Sequence, residues 1–218
     1  MPKAGRQELL LRVIVFALAS LSFACLLGHF YGFWTMHFFG CWILPPAAAS
    51  LAWIAWAFPG NPRMWILQGT LGGLVAAVAY DIYRLPFVLT GTPLFKVFPD
   101  FGQMLLGVAG PPFTEPPTLA AYALGWAYHF SNGIALGIMF LAMAGPLTPR
   151  KAFWGSVIWA LAVEFILLNT PYARFFSLPL GAWFIFLTAS AHLVFGIALG
   201  LWCRWRGVLN IAQPSTQS

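Results

Sequence analysis

Charge is the first thing that this chain lacks. Only 7% of its 218 residues are charged, whereas typical soluble domains are about one quarter charged. The chain has five acidic residues, and 61% of its residues are hydrophobic. Because a soluble fold of this size cannot hide so much apolar surface, we expect the chain to reside in a lipid bilayer.

Cysteine is also scarce, and the signature motifs of soluble enzymes are absent. The three cysteines include no C-x-x-C pair and give no disulfide framework. The sequence has no P-loop, no dinucleotide-binding G-x-G-x-x-G motif and no G-x-S-x-G elbow. We therefore expect no nucleic-acid partner, and we attribute the net charge of +6 to basic loop residues that orient the chain in a membrane.

What the sequence does contain is a series of long apolar segments. A membrane-spanning helix needs about 20 mostly apolar residues, and the segments that qualify are 9–28, 38–58, 64–85, 118–143, 152–170 and 179–203. They predict an all-α integral membrane bundle of about six transmembrane helices. The bundle forms one domain at 1–208, followed by a disordered polar tail at 209–218. Pro45-Pro46 lies inside the second segment, so we expect that helix to be kinked or to begin late.

The longest connection between these segments is 86–117. It holds seven prolines together with Lys96, Asp100 and Glu115. A connection of this length in a compact domain is usually functional. We interpret it as an interfacial or re-entrant segment that lies over one membrane face and caps whatever site opens there.

Lys and Arg predict the orientation, because cytoplasmic loops carry an excess of both. The face that carries the termini holds eight basic residues: Lys3, Arg6, Arg12, Arg63, Arg150, Lys151, Arg204 and Arg206. The opposite face holds three: Arg84, Lys96 and Arg174. We therefore expect both termini in the cytoplasm and the 86–117 loop on the outer face.

One nine-residue phrase occurs twice in the apolar segments. HFSNGIALG begins at His129 and HLVFGIALG begins at His192. Residues spaced by four share one helix face, so each histidine lies in line with the two glycines of its phrase. Small residues at this spacing let helices pack closely in lipid, which explains the glycines. The histidines need a further explanation, because ionisable groups deep in a membrane are costly and usually functional.

Two of the five acidic residues, Asp81 and Glu164, also fall inside predicted spans. With the two histidines they come from four different spans, all in the outer half of the membrane. We therefore predict one polar pocket there, with the residues Asp81, Arg84, Tyr128, His129, Asn132, Glu164 and His192. The simplest alternative is structural bonding, with Asp81 paired to Arg84 and Glu164 paired to Arg174.

Four functions fit such a pocket, and the sequence leaves the choice between them open. The first is binding of a transition metal ion or small ligand, with His129, His192 and Glu164 as metal ligands. The second is haem b held between the two histidines. The third is proton-linked transport, because intramembrane Asp, Glu and His form proton relays. The fourth is an accessory or scaffold role, with other membrane proteins or further copies of the chain as partners.

The two H-x-x-x-G-x-x-x-G phrases, with Tyr128 before the first, resemble segments of uncharacterised small bacterial polytopic membrane proteins. That group is a domain-of-unknown-function family whose span ends combine a histidine, two spaced glycines and an aromatic residue. The resemblance covers the fourth and sixth spans. It implies a protein of the bacterial cytoplasmic (inner) membrane, and it implies no particular activity.

Overall fold

The computed structural model describes residues 3–144 and 147–206 of the chain, so the tail predicted at 209–218 lies outside the described residues. Within these ranges the chain is helical and contains no β-strand, which confirms the all-α fold. Six segments are long and apolar enough to cross a membrane, as expected. The helices are α1 (Lys3–Phe30), α2 (Met36–Trp42), α3 (Leu44–Ala57), α4 (Asn61–Leu89), α5 (Val97–Leu105), α6 (Leu119–Ala144), α7 (Pro149–Leu168), α8 (Tyr172–Phe175) and α9 (Ala182–Trp205).

The helices differ from the predicted spans at two sites that contain proline. The second span is split into α2 and α3, and Pro45-Pro46 occupies the first turn of α3, where backbone N–H groups need no helical partner. By contrast, α4 continues through Pro86 to Leu89 instead of ending at 85. A proline removes one helical hydrogen bond, but the next turn is intact, with Thr90 N donating to Pro86 O at 3.2 Å. Asp81 therefore lies about two turns inside α4.

The centre of the fold is a row of four helices in the order α6, α4, α9 and α7, in which each helix packs along its neighbour. Helix α1 packs against α6, and α3 packs against both α1 and α4. The outward surface of the bundle is apolar: Trp56 is 79% exposed and Phe165 is 69% exposed. Such a surface fits a lipid environment and would be an aggregation hazard in water.

The glycines of the first repeated phrase lie at the contact between α6 and α4. Gly133 faces Ala77, and a Cβ on Gly133 would lie 2.6 Å from the Cβ of Ala77. A Cβ on Gly137 would lie 2.8 Å from the Cα of Gly73. Both distances are shorter than carbon atoms tolerate, so the two backbones touch because these residues have no side chain.

The second phrase makes the equivalent contact between α9 and α7. A Cβ on Gly196 would lie 3.1 Å from the Cβ of Ala160, and one on Gly200 would lie 2.5 Å from Ser156 Oγ. Ser156 Oγ also donates a hydrogen bond of 2.8 Å to Gly196 O, which ties the two helices together. The glycines thus form helix contacts in both pairs, as the sequence predicts.

The two helices that carry the buried acids, α4 and α7, also share a sequence pattern on their contact faces. In α4 the contact face reads Gly69, Gly73, Ala77 and Asp81, and in α7 it reads Ala152, Ser156, Ala160 and Glu164. Each face therefore has three small residues and then an acid, all spaced by four. The pairs α4/α6 and α7/α9 are two versions of one antiparallel unit, called here the first unit and the second unit. Ala77 faces Gly133 in the first and Ala160 faces Gly196 in the second, so the register is the same.

The 86–117 loop contains α5, which packs into the bundle. Seven of its nine residues are buried. Its backbone contacts α6 directly, since a Cβ on Gly102 would lie 2.7 Å from the Cα of Ala121, and one on Gly125 would lie 3.2 Å from Gly102 N. The loop therefore packs into the bundle through α5. Its interfacial or re-entrant position relative to a membrane stays a prediction.

Candidate functional site

The four ionisable groups predicted to converge form two histidine–carboxylate pairs. In the first unit, His129 Nε2 lies 2.9 Å from Asp81 Oδ2. In the second unit, His192 Nδ1 lies 3.2 Å from Glu164 Oε2. None of the four side chains is more than 14% exposed. Each pair joins the two helices of its unit at the end of the bundle that carries α5 and α8.

The two histidines lie equally far from the ends of their helices, and the two acids lie nearer to the ends of theirs. His129 follows the first residue of α6 by ten positions (129 − 119), and His192 follows that of α9 by ten (192 − 182). At about 1.5 Å per residue, both histidines lie roughly 15 Å from the helix ends. Asp81 lies roughly 12 Å and Glu164 roughly 6 Å from the ends of α4 and α7 by the same measure. The two histidines therefore occupy equivalent positions along α6 and α9.

Arg84 belongs to the first pair. Its Nη1 lies 3.7 Å from Asp81 Oδ1, which is the ion pair that the sequence suggested as an alternative. Its guanidinium also donates to Leu94 O and packs 4.7 Å from the centroid of the Tyr80 ring. Arg174, the suggested partner of Glu164, is exposed and lines a surface groove instead. The first acid therefore has an arginine partner, whereas the second has His192.

Two neighbouring cavities adjoin the pairs. The larger has a volume of about 110 Å³, and its polar lining consists of Arg84, His129, Asn132 and His192 among mainly apolar residues. The smaller has a volume of about 40 Å³, and its lining includes Glu164 together with Arg84 and His192. Because Arg84 and His192 line both cavities, both His–carboxylate pairs belong to one site.

Aromatic residues that the sequence analysis missed connect the two pairs. The Tyr80 ring lies 6.0 Å from the ring of His129 and 5.1 Å from that of His192, between centroids. Phe98 of α5 stacks on His129 at 4.1 Å. Tyr172 of α8 lines both cavities. Burial raises the pKa of Tyr172 above its ordinary value, so its hydroxyl is neutral. Tyr80 was accessible from the sequence, since it directly precedes Asp81. The predicted cap at 86–117 includes α5, but nothing in the sequence singles out Phe98 or places α8 at the site.

The hydrogen-bond partners assign the proton on His192. Its Nδ1 lies 3.0 Å from the carbonyl oxygen of Thr188, which can only accept. Nδ1 therefore carries a hydrogen that it donates to Thr188 O, and Glu164 Oε2 lies 3.2 Å from the same nitrogen. When His192 is neutral, its Nε2 is the atom free to accept a proton. By the same logic, His129 Nε2 donates to Asp81 whenever Asp81 is ionised.

Two of the predicted pocket residues serve the α1 side of the bundle. The hydroxyl of Tyr128 donates to Ser22 O at 2.6 Å, and Tyr128 is not among the residues that line the cavities. Asn132 Oδ1 accepts from Ser22 Oγ at 2.7 Å, and Asn132 also lines the larger cavity. Tyr128 therefore positions helices, while Asn132 remains part of the site.

The predicted metal ligands are not gathered at one point. His192 lies beside Glu164, but His129 lies beside Asp81 in the other unit. In the part of the chain that the structure describes, no group of three or more His, Cys, Asp or Glu side chains could hold a metal ion. The larger cavity, at about 110 Å³, is also well below the roughly 300–1,000 Å³ of pockets for drug-sized ligands. Haem between the two histidines stays a prediction.

Comparisons with known protein families, with curated proteins and with solved structures give no match to this chain. The geometry of the site is therefore the basis for a function.

Proposed function

We propose that this protein is a multi-pass membrane protein that binds a small solute or ion in the cavity beside its two His–carboxylate pairs. The observation that carries this proposal is that four costly groups from four membrane-length helices form two His–carboxylate pairs beside two neighbouring cavities. Ionisable residues at lipid depth are rare and mark substrate or ion pathways. If the His–carboxylate pairs served only to hold helices together, we would expect close packing around them and no cavity. A volume of about 110 Å³ has room for several water molecules or a ligand of few atoms.

Proton-linked transport is the second candidate function. It is supported by His192 Nε2, which is free to accept a proton when the residue is neutral, and by the two units that run in the same direction through the bundle. Transporters are often built from repeats with a substrate site near the membrane midplane where the repeats meet. The site between α4 and α9 lies where the two units meet.

Ligand binding is testable by thermal unfolding of the protein purified in detergent. The probes are Na⁺, K⁺, methylammonium, acetate, phosphate and Zn²⁺. At about a hundred times its Kd, a ligand adds about 2.7 kcal/mol of stability, which raises the Tm of a chain of this size by roughly 5–10 °C. We expect at least one probe to do so in the natural protein, and none in the double variant His129→Ala/His192→Ala.

The matched control is His37→Ala. That imidazole is exposed and bonds to Leu105 O at 2.7 Å, away from the cavities, so the variant should respond to probes as the natural protein does. If no probe shifts the Tm of the natural protein, the proposed binding function is wrong and a scaffold role is favoured.

We also propose that both termini are cytoplasmic and that the protein resides in a bacterial inner membrane, on the strength of the Lys and Arg distribution. A fusion of green fluorescent protein to the C-terminus should then fluoresce in a bacterial host. Alkaline phosphatase inserted after Val108, in the α5–α6 connection, should be active. The opposite pair of results would reverse the orientation.

A further inference from the structure

The two units differ in the residue that follows the acid by three positions, and this residue changes the charge at the site. Arg84 follows Asp81 by three residues (84 − 81) and lies 3.7 Å from it. The equivalent position in the second unit is Leu167, three residues after Glu164 (167 − 164). Leu167 lines both cavities, so an arginine there would reach the site. The first unit thus has a cation three residues after its acid, and the second unit has a leucine at that position.

The charges at the site therefore do not balance when both histidines are neutral. Asp81 and Glu164 contribute two negative charges, and Arg84 contributes one positive charge. In a low-dielectric interior an unbalanced charge is strongly unfavourable, so either the acid takes up a proton or a further positive charge compensates it. His192 supplies that positive charge when a proton occupies Nε2. When that proton is absent, a cation in the cavity can supply it and leave Glu164 ionised.

The smaller cavity offers a place for such a cation. Glu164 is 4% exposed, and its Oε1 has no hydrogen-bond partner among the described residues, since only Oε2 faces His192. Thr188 lines the same cavity, and its hydroxyl donates to Ile185 O, so the lone pairs of Oγ1 remain available. The volume of about 40 Å³ suits one water molecule or one small ion. Arg84 also lines this cavity, but Asp81 balances its charge.

We propose, building on the proposed binding function, that the second unit exchanges a proton for a small monovalent cation. In one state the proton occupies His192 Nε2, and the imidazolium neutralises Glu164. In the other state the proton has left to solvent, His192 is neutral, and the cation binds Glu164 Oε1. The site is neutral in both states, because one positive charge replaces another.

The remaining titratable groups stay constant in this exchange. Asp81, Arg84 and His129 form the first unit, which is already balanced. Asp100 lies in the surface groove rather than at the cavities. The other titratable or charged side chains around the second pair are Tyr80, Asp81, Tyr83, Arg84, His129 and Tyr172.

Proton release in weakly buffered solution tests the exchange. A pH indicator reports on the purified protein while chloride salts of Na⁺, K⁺ or methylammonium are added, with N-methylglucamine chloride as the bulky control. We expect about one proton per chain with at least one of the three small cations and none with the bulky cation. The cation that acts distinguishes a metal ion from an organic amine.

Two variants should abolish the release for different reasons. Glu164→Gln removes the negative charge, so neither a proton nor a cation is required. Leu167→Arg supplies a permanent cation at the position equivalent to Arg84. Glu164→Asp keeps the charge and should keep the proton release. The comparison of Glu164→Gln with Glu164→Asp therefore tests the exchange even if Leu167→Arg does not fold. Glu115→Gln changes an exposed acid of the α5–α6 connection and should leave the release unchanged.

The exchange is wrong if the natural protein releases no proton with any of the three cations, or if Glu164→Gln releases as many as the natural protein. The outcome is separable from that of the binding function. An anion or Zn²⁺ that raises the Tm without proton release would leave ligand binding intact and overturn only the exchange. If no probe raises the Tm and no proton is released, both proposals fail.

Discussion

Asp81→Ala is expected to destabilise the protein by about 3–5 kcal/mol, because removal of one partner of a buried ion pair leaves the other charge uncompensated. The stranded group is Arg84, whose side chain is 6% exposed and is surrounded by aromatic rings. His129 loses its partner at the same time. Urea unfolding of the purified protein in mixed detergent micelles would measure the change.

Two controls separate the buried charge from a general effect of truncation. The double variant Asp81→Ala/Arg84→Met should be more stable than Asp81→Ala alone, since it removes the stranded charge and keeps an apolar side chain of similar length. Glu8→Ala breaks a pair with Arg12 in which Glu8 is 41% exposed, and should change stability by less than about 1 kcal/mol. A double variant that is less stable than Asp81→Ala would contradict this account of Arg84.

Gly137→Ala is expected to destabilise the protein by about 1–3 kcal/mol through overpacking. The added Cβ would lie 2.8 Å from both Cα and N of Gly73. Backbone atoms cannot rotate away, so α4 and α6 have to separate, and the bond between Asp81 and His129 is stretched with them. The same unfolding experiment measures the loss of stability, and the response to the ligand probes should weaken in parallel.

Gly155→Ala is the matched control for this substitution. Gly155 is also a helical glycine, but its added Cβ would meet only the Phe140 ring, at 3.6 Å. Alanine is favoured over glycine in a helix by up to about 1 kcal/mol, so this variant should be neutral or slightly more stable. Equal losses at 137 and 155 would show that the α4–α6 contact does not determine stability.

Hydropathy was sufficient to predict the helical bundle and its six membrane-length segments, because lipid exposure requires about 20 apolar residues per span. The ends of the helices were harder to predict. Pro86 looked like the end of a span, yet tertiary packing keeps α4 helical to Leu89. The placement of α5 was also beyond the sequence, since its burial depends on a backbone contact between Gly102 and Ala121 that only the folded chain reveals.

The residues of the site were largely predictable, but their pairing was not. Hydropathy and spacing put His129 and Glu164 at lipid depth without fixing the rotation of one helix against another. The metal prediction assumed that the two histidines bind the same metal ion. In the structure each histidine instead lies beside the carboxylate of its own unit. One available signal was not used: the matching ladders of small residues that lead to Asp81 and to Glu164 indicate which helices pair.

The backbone contact between α5 and α6 limits how a solute reaches the cavity. No side chains separate Gly102 from Ala121, so α5 cannot slide or tilt without breaking this contact. The other short element at the site is α8, which has only four residues, Tyr172–Phe175. Tyr172 lines both cavities from that helix. If the proposed binding function is correct, we expect a solute to enter beside α8, because the backbone contact holds α5 in place.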